Sequence, residues 1–312
     1  MDGTSFFDLL LQAPLAEFER LAAIPTQLWL AQLLIGLGNG AFYAMLSLGL
    51  AIIFGLLNVI NFAHGALYML GAFTAWMLLQ YLGIGYWPAL VLAPLIVAVV
   101  GIVLEKAFLS RLYRLDPLYS LLLTFGVALI LEGAFVEGYG TSGKPYAAPA
   151  MLSGSVDLGF MRMQMYRGWA ILASLAICFT TWFAIEKTRL GVTLRAATEN
   201  PTLVQAFGIN VPRVMTLTYA FGVGLAALAG VLAAPLQQVS PQMGSNTIIV
   251  IFAVVVIGGM GSIMGAIVTG LVLGVFEGLT RVIYPSGSDI VVFVLMVVVL
   301  LVRPAGLFGR ER

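Results

Sequence analysis

Apolar residues run through this chain in long blocks, separated by short polar stretches. Stretches such as Ile248 to Ile257 and Ile290 to Val302 contain no charged residue at all. The blocks fall at roughly 28–55, 61–81, 87–108, 118–138, 168–185, 214–236, 247–260, 263–282 and 289–303. The longer ones reach the roughly 20 residues that a helix needs to cross a bilayer. Strands of a membrane barrel would instead alternate apolar and polar positions over short stretches. Unbroken blocks therefore predict helices, and in a bilayer every backbone polar group must find its partner inside the protein. The 247–260 block is short and ends on Gly258, Gly259 and Gly261, which predicts a half-helix or part of a broken one. Residues 1–26 mix Phe6, Phe7, Leu9 and Leu10 with Glu17, Glu19 and Arg20. They read as an amphipathic interfacial segment, too polar to span. Residues 27–309 read as a single transmembrane domain.

Composition sharpens this into one class. With 61% hydrophobic and 9% charged residues, the chain lies far from the roughly 25% charged residues of a soluble domain. The expected fold is all-α: a polytopic membrane helical bundle of eight or nine crossings, with some helices short or broken. The net charge of +1 argues against a nucleic-acid partner. One cysteine, Cys178, allows no disulfide within the chain. The amino terminus starts acidic, with Asp2 and Asp8, and does not resemble a cleavable signal peptide.

Basic residues orient the bundle. Lys106, Arg111 and Arg114 form one group, Lys187, Arg189, Arg195 and Arg213 a second, and Arg303, Arg310 and Arg312 a third. The positive-inside rule places all three on the cytoplasmic side. Nine crossings satisfy this with the 139–167 segment outside. A break inside a single span at Gly55 to Gly65 would change the parity.

Two polar interruptions carry the candidate chemistry. Gly55-Leu-Leu-Asn58-Val-Ile-Asn61-Phe-Ala-His64-Gly65 holds two Asn and the lone His inside a long apolar run. Helix breaks at membrane depth are tolerated where they line a cavity or are buried in protein. Two readings stand here, a substrate path or a tight polar turn at the cytoplasmic face. The second interruption is the 186–213 loop. Leu194 and Ala197 share a helical face, with Arg195 and Glu199 at i, i+4 spacing beside it. Asn200-Pro201 spells an N-cap and first-turn proline for a second short helix. Gly208 supplies its C-terminal glycine. Two short helices between spanning segments form a rigid knob able to receive force from a soluble partner; an interfacial loop is the plainer alternative.

Three further features matter less. Gly261 and Gly265, then Gly270, Gly274 and Gly278, recur at four-residue steps and predict close helix packing, within the chain rather than at a subunit interface as the favoured of the two readings. Gly138-Tyr-Gly-Thr-Ser-Gly143-Lys144-Pro145 nearly spells a phosphate-binding loop, but proline replaces the magnesium-binding hydroxyl and no strand precedes it. Glu132 and Glu277 lie in apolar runs, where a charged residue is a functional candidate by default. Arg281 one turn beyond Glu277 suggests a snorkelling surface pair. The sequence shows no nucleophile–base constellation or metal cluster, so an enzyme is not expected.

At these residues the chain resembles the permease subunits of ATP-binding-cassette (ABC) importers for branched-chain amino acids, and looks most like the first of their two paired permeases. The carrying segments are Asn58 to Gly71, Leu194 to Asn200 with Ala206 to Asn210, Val256 to Gly265, and Arg303 to Gly309. The resemblance implies a multi-pass protein of the bacterial inner membrane. Its partners would be a second permease in a heterodimer, two cytoplasmic ATPase subunits that hold ATP and magnesium, and a periplasmic binding protein. This chain itself would bind no cofactor. The resemblance also implies that Gly191, Arg195, Ala196, Glu199, Asn200, Ala206 and Gly208 form the coupling region in an ATPase cleft. Asn58, Asn61, His64, Gly65, Gly258, Gly259 and Gly261 would line the translocation path. Related permeases carry amides or urea, so the solute stays open. Residues 1–26 are longer than the family needs. An ion-coupled secondary transporter or a channel, acting without an ATPase, is the rival class.

Overall fold

The computed structural model describes residues 24–309 apart from Asn58, Arg114 and Asp289. The amphipathic segment expected over residues 1–26 therefore lies almost wholly outside the described residues. Eleven α-helices occur among the described residues: α1 (Thr26–Leu57), α2 (Ala63–Leu82), α3 (Tyr86–Ala107), α4 (Pro117–Tyr139), α5 (Met165–Lys187), α6 (Arg189–Glu199), α7 (Pro201–Ala206), α8 (Val211–Ala233), α9 (Met243–Gly258), α10 (Ile263–Ile283) and α11 (Val291–Val302). One small hairpin, β1 (Ser155–Asp157) with β2 (Arg162–Gln164), sits between α4 and α5.

Seven of these helices are long and apolar enough to cross a membrane, and α9 and α11 are shorter apolar helices. Seven full-length spans and two short apolar helices agree with the expected bundle in which some helices are short or broken. The short ones are α9, whose 16 residues reach about 24 Å, and α11, whose 12 reach about 18 Å, at 1.5 Å per residue. The Gly55–Gly65 interruption does not sit within one span. It separates α1, with 32 residues, from α2, with 20.

Contacts between connections fix which ends lie together. The end of α3 meets the start of α8 through Glu105 and Thr216. The α1–α2 break meets α8 through Asn61 and Tyr219. Gly261, after α9, packs on Gly55. The carboxy-terminal segment joins the end of α9, where Leu307 N–H donates to the Ile257 carbonyl at 2.8 Å and Phe308 N–H to the Gly258 carbonyl at 3.1 Å. These connections share one face with the basic α5–α8 loop. On the opposite face, Lys144 and Val239 exchange backbone bonds of 2.8 and 2.9 Å. That bridge ties the near-miss phosphate loop to the α8–α9 connection, and it follows a helix as the sequence required.

Two packing features shape the interior. Helices α1 and α10 run together along a seam of small residues. A Cβ on Gly270 would come within 2.5 Å of the Ala44 nitrogen, and one on Gly36 within 2.5 Å of the Gly274 carbonyl oxygen. The second feature is the descent of the α8–α9 connection. Gly222 of α8 packs at Gly49, which also touches His64, while α9 begins with Gly244 against Gly65. Helix α8 rises about 15 Å past that level before the chain turns back. Residues 234–242 therefore carry non-helical backbone down into the bundle, which is tolerated where such backbone is buried or faces a cavity.

Candidate translocation and coupling sites

The knob on the basic face is built as its sequence signals suggest. Asn200 accepts a bond from Leu203 N–H at 3.0 Å, capping α7, and Pro201 opens that helix. Gly208 ends it at φ +83°. Asn210 caps α8 by accepting from Arg213 N–H at 3.1 Å. Ala197, Val204 and Val211 are buried together, with Ala196 and Ile209 against them, so the knob has a small core of its own. The elbow from α5 to α6 is one residue long, and Gly191 lies on the backbone of Ile185, where any side chain would collide. Helix α6 also touches α1 and α8, so a load on the knob passes directly into the bundle.

One detail differs from the spacing argument. Arg195 does not reach Glu199 but turns back to Glu186, at 3.4 Å, and to the Ile185 carbonyl at 3.3 Å. Those groups belong to the elbow, which the helical spacing of α6 cannot reveal. Glu199, Asn200, Ala206 and Gly208 are exposed. Beside them stand four large apolar side chains that pattern reading passed over: Leu190 at 69% exposure, Val192 at 60%, Leu203 at 54% and Phe207 at 77%. Apolar exposure on a loop beyond the spanning helices marks a partner surface, and the signal was available in the sequence as leucine, valine and phenylalanine within an otherwise polar segment.

The break residues are held tightly. Asn58 lies outside the described residues. Asn61 and His64 are fully buried. Asn61 donates to the Tyr219 hydroxyl at 3.3 Å, and its side-chain carbonyl oxygen has no hydrogen-bond partner. His64 Nε2 lies 3.0 Å from the Leu46 carbonyl, so it carries the proton, and Nδ1 is left without a partner. Gly65 packs on Gly244 and borders a small cavity of about 60 Å³. Gly258, Gly259 and Gly261 make a sharp turn, with φ +96° at Gly259 and +86° at Gly261. The turn presses on Gly265, Gly309 and Gly55.

A second cavity, about 230 Å³, lies elsewhere, between α1, α2, α8, α9, α10 and the descending 234–242 connection. Its polar residues include Asn39, Tyr43, Gln237, Asn246, Glu277 and Arg281. Glu277 is only 3% exposed, which overturns the snorkelling reading. It sits on the glycine seam of α10 and is therefore turned inward onto α1. There it accepts from the Tyr43 hydroxyl at 2.8 Å and, more weakly, from Asn39 at 3.5 Å. Arg281, on its own helix, donates to it at 2.6 Å. A second buried carboxylate went unnoticed in sequence. Glu105, 2% exposed near the basic end of α3, accepts from Tyr113 and Thr216, each at 2.8 Å. Burial first, and Glu105 second, hold the Tyr113 hydroxyl well above its usual range, so it remains a donor. Glu132, by contrast, borders only the small cavity.

A bundle of long apolar helices around a polar cavity is the architecture of a multi-pass membrane protein. The chain belongs to the family of branched-chain amino acid transport system permease components, whose model matches residues 32–300. It is 31% identical over 297 residues to the high-affinity branched-chain amino acid transport system permease protein BraD of Pseudomonas aeruginosa, covering 90% of this chain and 96% of that one. It is likewise 31% identical over 300 residues to the permease protein LivH of Escherichia coli, with the same coverage. The permease protein LivM of Escherichia coli is more distant, at 26% identity over 295 residues, covering 86% of this chain and 68% of LivM. A permease of this family moves solute and is not itself an enzyme, and its apolar helices make it a multi-pass membrane protein.

Proposed function

We propose that this chain is one of two membrane-spanning subunits of an ABC importer in the bacterial inner membrane. The importer carries branched-chain amino acids, or a closely related small polar solute, from periplasm to cytoplasm. A periplasmic binding protein delivers the solute, and two cytoplasmic ATPase subunits supply the work. The relatives are named as branched-chain amino acid permeases of two kinds, which supports a heterodimer. The observation that carries the reading is the knob: two short helices, the second capped by Asn200, with a small core, exposed apolar side chains, and contacts into α1 and α8. It is the docking element for an ATPase subunit, and closure of the ATPases rocks the bundle through it.

The Asn58–Gly65 and Gly258–Gly261 breaks form the cytoplasmic end of the path, shut in this conformation. Buried polar groups are normally hydrogen-bonded, and those that are not call for an explanation. Asn61 and His64 each keep one buried polar atom unpaired. Water or solute satisfies those atoms when the breaks part.

Phe207→Asp tests the docking claim. A central apolar anchor of an interface contributes about 2 kcal/mol or more, roughly a 30-fold loss of affinity when it is removed. The variant is expected to insert normally and to lose most of the ATPase subunits recovered with a tagged permease. Undiminished recovery would move the docking site away from the knob.

A further inference from the structure

The 230 Å³ cavity has the chemistry of a zwitterion site. At about 30 Å³ per water it holds roughly eight waters, the space of a small solute. Its floor is a buried carboxylate beside a guanidinium that is 39% exposed. Glu277 accepts three donors, and a carboxylate offers about four lone-pair positions, so one further donor fits. Arg281 spends one nitrogen on Glu277, and its planar fork matches a carboxylate through the others. Phe42, Leu46 and Val250 supply an apolar wall next to this charged pair. The descending 234–242 connection contributes Gln237, the arrangement in which interrupted membrane helices hold solute.

Resting on the proposed importer function, we propose that this cavity is a transit site within the permease for a neutral aliphatic α-amino acid. The ammonium group sits at Glu277, the carboxylate at Arg281, and the side chain against the Phe42, Leu46 and Val250 wall. The permease then selects its solute a second time, after delivery by the binding protein. The alternative role for Glu277 is a pin between α1 and α10 with no solute contact.

The two roles separate in the complete complex, reconstituted in vesicles with its binding protein and radiolabelled L-leucine, reading both leucine uptake and ATP hydrolysis. Glu277→Gln keeps the side-chain shape and removes the charge. Val250→Trp fills the cavity from the apolar wall and leaves Glu277 in place. A transit site predicts that each variant still hydrolyses ATP in response to the binding protein but moves at least tenfold less leucine per ATP. Loss of a mere pin lowers uptake and hydrolysis together and leaves their ratio unchanged, and that ratio in either variant would overturn the proposal. If the unmodified complex moves no leucine, the proposed importer function fails and the transit site with it.

Discussion

Gly274→Val is expected to yield little folded protein. A Cβ at this position would lie 2.5 Å from the Gly36 carbonyl oxygen and press on the backbone of Gly40 as well. The obstacle is main chain on both sides, so no rotamer change relieves it. Without a hydrophobic force between helices in lipid, close approach of small residues is what holds α1 to α10. Forcing the pair apart gives up that packing over the whole seam, at a cost of about 3 kcal/mol or more. The seam also positions Glu277 against Asn39 and Tyr43. Detergent-extracted Gly274→Val should melt well below the parent and elute as aggregate on size exclusion. The matched control is Gly133→Val on α4, where nothing lies within 4 Å of the added carbon. That variant should match the parent in yield and melting. Equal behaviour of the two would refute the seam.

Ala196→Pro should have the opposite profile: normal insertion and transport lowered more than tenfold. Ala196 lies inside α6, where proline removes a backbone bond and clashes with the preceding turn, costing about 3 kcal/mol. The damage centres on the knob, whose small core reaches the spanning helices only at the start of α8, through Val211 and its neighbours. Binding-protein-stimulated ATP hydrolysis should fall with transport, since the damaged knob is the element that joins the two. Replacing Arg195 and Glu199 is a milder version of the same test: Arg195 holds the elbow through Glu186, whereas Glu199 is exposed. Transport unchanged in Ala196→Pro would remove the knob from the mechanism.

What could be read from the sequence was local. Asn200-Pro201 and Gly208 announce the start and end of α7 within a few residues, and cap chemistry depends on nothing further away. The glycine spacing of α10 announces a packing face, and the face does pack within the chain. Membrane helices are legible for the same reason, since length and apolarity alone decide them. The polar cavity was not legible. Glu277 and Arg281 at i, i+4 look like any exposed pair, and burial becomes visible only when α1 arrives. The partners that decide it, Asn39 and Tyr43, stand 238 and 234 residues away in the chain. Glu105 is the same case, since Thr216 lies 111 residues on. Arg195 shows the limit over a shorter range: its spacing to Glu199 is ideal, yet the one-residue elbow brings Glu186 nearer. The descent of residues 234–242 has no local signature, because it is defined by Gly244 meeting Gly65.

The measurement that bears most directly on the central claim is solute uptake by the purified complex in sealed vesicles, with and without enclosed ATP. The account predicts that leucine accumulates only when ATP, the ATPase subunits and the binding protein are all present, and that no ion gradient substitutes for ATP. Accumulation by this chain alone in vesicles lacking ATP, driven by an imposed ion gradient, would contradict it and make the protein a secondary transporter.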